Sequence, residues 1–150
     1  MNLNSSFGIS ASGLTAQRLR MDVISSNIAN AETTRASVVN GQAVPYRRKM
    51  VVFSPNESNF ANMLQAQMDK GNSSARGVKV TAIQEDSAPF KPVYNPSHPD
   101  ADAEGYVYMP NVDMTKEMVD LISASHSYNA NVTALNASKA MVMKALEIGR

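Results

Sequence analysis

The feature that most constrains this chain is a hydrophobic repeat near its C-terminal end that runs for more than four heptads. A step that alternates between four and three residues keeps side chains on one face of an α-helix, so the repeat predicts one long helix. About 36 residues at 1.5 Å each would make a rod roughly 54 Å long. Pro110 and Asn111 precede the repeat as a breaker and a candidate cap, and Gly149 follows it. The repeat begins at Met114 and continues through Met118, Leu121, Ser125, Tyr128, Val132, Leu135, Lys139, Val142 and Leu146.

A second repeat with the same step lies at the N-terminal end. It predicts a helix from about residue 6 to about residue 31, with Ser5 or Ser6 as its cap. Each apolar stripe needs a partner, and the other end of the chain can supply one, so we expect the two helices to pair as a coiled coil. The predicted coiled-coil and subunit-interface residues are Phe7, Ala11, Leu14, Met21, Ile28, Met118, Leu121, Tyr128, Val132, Leu135, Val142 and Leu146.

The long C-terminal repeat contains eighteen consecutive residues without formal charge, between Asp120 and Lys139. A solvated helix normally carries Lys and Glu on its outer face. The segment therefore favours packing on several faces, some of them against other subunits; the alternative is an ordinary helical hairpin with a weakly charged surface. The apolar stripes are interrupted by Arg18, Ser25, Ser125 and Lys139, so we expect the ends of an isolated subunit to be mobile and to order on assembly.

The middle of the chain has a different character. Asn40-Gly41 is a turn signal between two short β-prone runs. The alternating segment 77–85 and the short segment 105–109 each predict a strand. Residues 59–68 predict a short helix, and a loop follows at 71–74. Four prolines, Pro89, Pro92, Pro96 and Pro99, predict an extended, irregular segment.

These patterns together predict an α+β protein. Long N- and C-terminal helices pair as a coiled coil, and a small strand-and-loop unit is inserted between them. The predicted inner domain comprises residues 1–35 and 111–150, and the predicted outer domain comprises residues 36–110.

Composition excludes several classes of function. Fourteen basic residues nearly balance thirteen acidic ones, which disfavours a nucleic-acid-binding face or a polybasic membrane patch. The chain has no cysteine, so disulfides and thiolate chemistry are absent. The sequence contains no run of eighteen apolar residues, so it predicts no membrane span. The N-terminal segment lacks the charged and apolar regions of a signal peptide. Export would therefore need a route that reads an uncleaved N-terminus.

Candidate chemical motifs are weak. Asp100, Asp102, Glu104 and Gly105 imitate the start of an EF-hand calcium loop, but Asn111 occupies the twelfth position, where a bidentate glutamate is needed. The two histidines lack metal-ligand spacing, and the basic run at 47–49 is typical of a solvated strand entry. We therefore predict no catalytic, cofactor or metal site; the alternative from this class is a small hydrolase that uses Asp100, Asp102 and His98.

Three stretches resemble a known family. The segment SSNIANAETT at 25–34 resembles the Asn-x-Ala-Asn-x-x-Thr signature of bacterial flagellar axial proteins of the rod and hook. Segments 94–122 and 127–149 are similar to the proximal-rod members of that family, which also have this length. By this resemblance, the motif lies where the N-terminal helix ends and the chain turns toward the middle unit. The motif residues are Asn27, Ile28, Ala29, Asn30 and Thr33.

The resemblance implies a structural subunit of the proximal rod, the drive shaft that crosses the periplasm and transmits motor torque for motility. It implies helices that polymerise into an inner tube, export without cleavage by the flagellar type III apparatus, and no enzymatic activity. The implied partners are other copies of the chain, the rod proteins FlgB, FlgF and FlgG, and FliE, with no nucleic acid or small-molecule substrate. The alternatives are a secreted type III interaction or needle-type component and a different rod protein of the same family.

Overall fold

The computed structural model describes residues 3–39, 42–56 and 77–148. A long helix lies at each end, and the described residues between the helices form short strands. This arrangement confirms the predicted α+β class. The elements are α1 (Leu3–Ala29), β1 (Ser37–Val39), β2 (Gln42–Val44), β3 (Lys49–Pro55), β4 (Val78–Glu85), β5 (Lys91–Tyr94), β6 (Tyr106–Met109) and α2 (Met114–Ile148).

The strands form three two-stranded sheets, with β1 paired to β2, β3 to β4 and β5 to β6. Val39 pairs with Gln42 across the first sheet, so the two short β-prone runs are confirmed as β1 and β2, and the turn predicted at Asn40-Gly41 lies outside the described residues. The predicted strands at 77–85 and 105–109 are confirmed as β4 and β6. The predicted helix at 59–68 and loop at 71–74 lie outside the described residues.

The four prolines predict an irregular segment, but the structure contains strand β5 within it. Pro92 lies within β5 and pairs with Tyr108 of β6 in an antiparallel register. A proline removes one backbone donor, which a central strand cannot lose. In a two-stranded sheet both strands are edges, and the proline is tolerated.

The helix ends differ from the predicted caps. Helix α1 already begins at Leu3, so Ser5 and Ser6 lie inside it. The cap of α2 is Asp113 rather than Asn111: its Oδ1 accepts hydrogen bonds from the backbone N–H of Thr115 at 3.0 Å and of Lys116 at 3.3 Å. The aspartate stands directly before the first helical residue, where its carboxylate reaches the unpaired N–H groups.

The residues fall into two compact units. Unit 1 comprises Met1–Leu19, Val52–Ala82 and Ala124–Arg150, and unit 2 comprises Arg20–Val51 and Ile83–Ser123. The predicted division into an inner helical domain and an outer strand domain stays a prediction. In the part of the chain that the structure describes, neither helix is long and apolar enough to cross a membrane.

The buried residues of the two units differ in kind. In unit 1 they are small: Ser10, Ala16, Ala124 and Ser138. In unit 2 they combine apolar side chains with an asparagine and a glutamate: Val23, Ile24, Asn27, Pro45, Tyr46, Gly105, Val107, Pro110, Val112 and Glu117. A buried charge and a buried amide are costly unless they are hydrogen-bonded, so the polar groups of unit 2 identify the place to look for a specific role.

Candidate functional site

Helix α1 ends inside the Asn-x-Ala-Asn motif. The side chain of Asn30 donates to the carbonyl of Ser26 at 2.9 Å and accepts from the hydroxyl of Thr33 at 3.3 Å. The backbone N–H of Thr33 also donates to the carbonyl of Asn30. Asn30 and Thr33 thereby supply the partners that the last turn of a helix otherwise lacks.

Asn27 has a different task, since it holds a strand to the helix. Its side chain is 1% exposed. Its Nδ2 donates to the carbonyl of Lys49 at 2.8 Å, and its Oδ1 accepts from the N–H of the same residue at 2.9 Å. The amide therefore pairs with the first residue of β3 as a neighbouring strand would.

The remaining capacity of the Asn27 amide is also used. Nδ2 donates to Oε2 of Glu117 at 2.9 Å, and Oδ1 accepts from the hydroxyl of Tyr46 at 3.0 Å. An asparagine amide has two donor hydrogens and an acceptor oxygen with two lone pairs. All four are satisfied, so the side chain joins α1, the residues before β3 and α2 into one network.

Glu117 lies at the centre of this network. It is fully buried, and its Oε1 accepts from Nε of Arg48 at 2.6 Å. Arg48 also lies 3.6 Å from Asp86 and 3.7 Å from Asp120. Burial alone would lower the pKa of Arg48, but the hydrogen bond and charge of Glu117, with the contribution of Asp86, raise it above its ordinary value. We call the set Asn27, Tyr46, Arg48, Lys49 and Glu117 the junction network.

A second connection joins the residues after α1 to the turn before β6. Asp100 accepts hydrogen bonds from the guanidinium of Arg35 and, at 2.9 Å, from the hydroxyl of Thr34. These two hydrogen bonds lower the pKa of Asp100. Its backbone N–H donates to Nδ1 of His98 at 3.1 Å. Asp100 therefore links the residues that follow α1 to the turn that precedes β6.

The acidic segment at 100–104 does not gather its carboxylates. Asp102 accepts from the backbone N–H groups of Glu104 and Tyr106, which shapes the turn. Among the residues that the structure describes, no group of three or more His, Asp or Glu side chains is placed to hold a metal ion.

On α2, one half of the predicted seam residues lies on the covered face. The other half lies one residue beyond the residues that the structure covers. Leu121, Tyr128, Leu135 and Val142 are half-buried, as is Val132. The residues that alternate with them at steps of four and three on the same face are Glu117, Ala124, Asn131 and Ser138. Each of these stands one residue before the predicted seam residue, which is Met118, Ser125, Val132 or Lys139. Three of these four are buried, whereas Met118 and Leu146 are more than half exposed.

Helix α1 shows a similar offset. Phe7, Leu14, Met21 and Ile28 are half-buried, and Ala11 is exposed. The buried residues are Ser10, Ala16, Val23, Ile24 and Asn27.

Contacts between the helices occur within each unit. In unit 1, a Cβ added to Gly13 would meet the side chain of Asn131 at 3.1 Å, so the backbone of α1 approaches α2 closely there. In unit 2, Arg20 pairs with Asp120 at 3.3 Å, and Asn27 with Glu117. The numbers rise along one helix as they fall along the other, so the helices are antiparallel in unit 2. Regular coiled-coil packing stays a prediction.

Sequence reasoning identified the motif residues but missed Tyr46, Arg48 and Glu117. A signal was present: Glu117 stands at a position that continues the spacing of Leu121 and Ala124, where a charge is unexpected.

The exposed surface of α2 also carries large apolar side chains, which a single chain leaves uncovered. These are Met114, Met118, Val119, Ile122, Met141, Met143 and Leu146.

Comparison with known proteins agrees with both ends of this architecture. A family model described as flagella basal body rod protein matches residues 7–36, which include most of α1 and the whole of its motif. A second model, described as the C-terminal part of flagellar basal body rod FlgEFG proteins, matches residues 103–148. The class that the two ends define is that of flagellar rod proteins.

Full-length relatives narrow this class. The chain is 59% identical over 145 residues to flagellar basal-body rod protein FlgC of Bacillus subtilis, with 97% of each chain covered. It is 45% identical to FlgC of Escherichia coli O157:H7 over the whole of both chains, and 44% identical to FlgC of Borreliella burgdorferi. The chain therefore belongs to the FlgC family of flagellar basal-body rod proteins. Its function is that of a structural subunit of the rod.

Proposed function

We propose that this chain polymerises through its terminal helices into the proximal part of the rod, and that the rod carries motor torque across the periplasm. The observation that supports this most is the uncovered apolar surface of α2. Met118, Val119 and Ile122 are each more than half exposed, on a helix whose outward faces carry few charges. Large apolar patches of this kind mark interaction surfaces.

The terminal helices are proposed to pair as a coiled coil in the assembled rod. The half-buried residues Leu121, Leu135 and Val142 would belong to the seam, and Met118 and Leu146 would be covered by neighbouring subunits. Contacts between two different surfaces of successive copies, when they do not close into a ring, generate a helical filament. The chain would then act mechanically, without catalysis.

The proposed partners are other copies of the chain, the rod proteins FlgB, FlgF and FlgG, and FliE. Export is proposed to use the flagellar type III apparatus without cleavage. Mass spectrometry of the chain from isolated basal bodies tests this export route: the intact mass of 16.2 kDa is expected. A shortened N-terminus would contradict it.

Assembly is tested with Leu121→Asp and Leu135→Asp. Both side chains are half-buried on α2, and an unpaired carboxylate there would be costly to cover. We expect each variant to be absent from isolated basal bodies and the cells to be non-motile. Ser87→Asp, at an exposed loop position, is the control and should assemble. Normal swimming of both leucine variants would contradict the proposal.

A further inference from the structure

The two compact units carry opposite formal charges. The described residues of unit 1 include four basic residues and one acidic residue, a net charge of +3. Those of unit 2 include seven basic and ten acidic residues, a net charge of −3. The whole chain is nearly neutral, so this separation is visible only after the fold has sorted the residues. Opposite fields of this kind steer one surface toward another.

Unit 2 contains a groove that combines acidic and apolar groups. It has a volume of about 470 Å³, and its lining includes Val23, Ile83 and the carboxylates of Asp22 and Glu85. Asp22 and Glu85 are exposed, and the side chain of Ile83 is 49% exposed, so an apolar surface remains uncovered beside two negative charges.

One cation also lines this groove. Lys49 places its ammonium 5.7 Å from the ring centroid of Tyr46. Ser26 completes the lining. With two carboxylates and one ammonium, the groove has a net charge of −1, and it fits a partner with a basic head and an apolar stem.

Unit 1 presents a surface of this chemistry. Lys139, Met143 and Leu146 follow one another on α2 at steps of four and three, which places them on one face of the helix. All three are exposed, Met143 by 54% and Leu146 by 68%. A positive charge therefore stands beside two uncovered apolar side chains. We call these three residues the basic stripe.

We propose that the groove of one copy receives the basic stripe of a second copy. The proposal rests on the function proposed above, because it needs copies that stand side by side in the rod. The contact joins two different surfaces, so it is head-to-tail and leaves a free groove and a free stripe for further copies. Such a contact extends a filament instead of closing a dimer. Burial of Ile83, Met143 and Leu146 supplies affinity, and the charges select the orientation.

Cysteine cross-linking tests the contact directly, because the natural chain has no cysteine. Two differently tagged full-length copies, one with Ile83→Cys and one with Met143→Cys, are produced in the same cells. Basal bodies are then isolated and oxidised. A cross-link between the two tags can only be intermolecular. Met141→Cys replaces Met143→Cys in the control, since Met141 is equally exposed but lies on another face of α2.

We expect the Ile83–Met143 pair to give at least ten times more cross-linked product than the Ile83–Met141 pair. Equal yields, or no product from basal bodies that contain both tagged copies, would overturn the contact while the proposed function stands. Absence of both copies from the basal bodies would overturn the proposed function and this contact with it. A cross-link from the groove to another rod protein instead would also overturn it.

Charge reversal gives an independent test. Lys139→Glu is expected to reduce the amount of chain in basal bodies at least tenfold, and Glu85→Lys in the same chain is expected to restore it. Lys144→Glu makes the same charge change on the same helix but off the stripe and should assemble normally. Equal loss for the two lysine variants, or no restoration by Glu85→Lys, would contradict the pairing.

Discussion

Asn27 shows how one side chain can connect three elements. Replacing it with alanine would leave the N–H and carbonyl of Lys49 and one oxygen of Glu117 without a partner inside the protein. Each buried polar group left unpaired costs about 1–3 kcal/mol. We expect Asn27→Ala to lower the free energy of unfolding in urea by at least about 3 kcal/mol. Asn129→Ala, at an exposed position of α2, is the control, and an equal effect of both would contradict the role of the network.

Gly105 is required by its backbone. Its φ is +83°, and an added Cβ would meet a ring carbon of Tyr94 at 3.0 Å. A residue with a side chain pays about 1–2 kcal/mol for this conformation. Gly105→Ala should therefore destabilise the chain by at least that amount in thermal unfolding. Gly8→Ala, on α1 with open space around it, should be neutral or stabilising, and loss of stability in the second variant alone would refute this view.

Asp100 makes stability depend on pH. Hydrogen bonds from Arg35 and Thr34 lower its pKa in the folded state below the unfolded value of about 3.9. The stabilisation is therefore fully present above about pH 4 and is lost as the pH falls through the lower, folded pKa. Asp100→Asn should reduce stability at neutral pH and flatten the decrease of stability with acid below about pH 4. If the stability of Asp100→Asn decreases below about pH 4 as steeply as that of the natural chain, the result would contradict this role of Asp100.

Among the elements, the residues that enter β3 are held against α2 by ion pairs of Arg48, of which the one with Glu117 is the shortest. Arg48→Met would leave the fully buried Glu117 without its cation, which costs about 3–5 kcal/mol. Glu117→Gln in the same chain removes the charge and keeps an acceptor for Asn27. We therefore expect the double variant to recover more than half of that loss in urea unfolding.

Arg47→Met is the control for this prediction. Arg47 stacks over the ring of Phe90 at 4.5 Å and donates to the carbonyl of Asp86, so its loss affects packing but strands no buried charge. Its cost should be smaller than that of Arg48→Met and unaffected by Glu117→Gln. Additive effects of Arg48→Met and Glu117→Gln would show that the pair is not coupled.

The helices also show what periodicity can and cannot predict. The steps of four and three correctly predicted long helices at both ends, because any face of a regular helix shows this spacing. The spacing does not identify which face is covered, because every face of a regular helix shows it. In this single chain, Ala124 and Ser138 are buried and Met118 is exposed. Small residues such as Ala124 and Ser138 allow two backbones to approach closely. The larger exposed side chains are the ones that we propose other subunits to cover in the rod.

At the scale of the whole molecule, the predictable features were local and the missed ones were long-range. The β-prone runs on either side of Asn40-Gly41 and the alternation at 77–85 are properties of neighbouring residues, and both correctly predicted strands. The pairing of Arg48 with Glu117 joins residues 69 positions apart, and no local pattern connects them. The effect of Pro92 is also not a local property, because β5 tolerates a proline only since it has a single neighbouring strand in its sheet.

We propose that other subunits of the rod cover the apolar surface that the single chain leaves exposed. The most direct measurement is the density of this chain in electron cryomicroscopy of isolated basal bodies. We predict that the chain lies in the rod wall, with Met118, Ile122 and Leu146 buried against neighbouring subunits. A rod that lacks this chain, or one in which these three side chains remain exposed, would contradict the account.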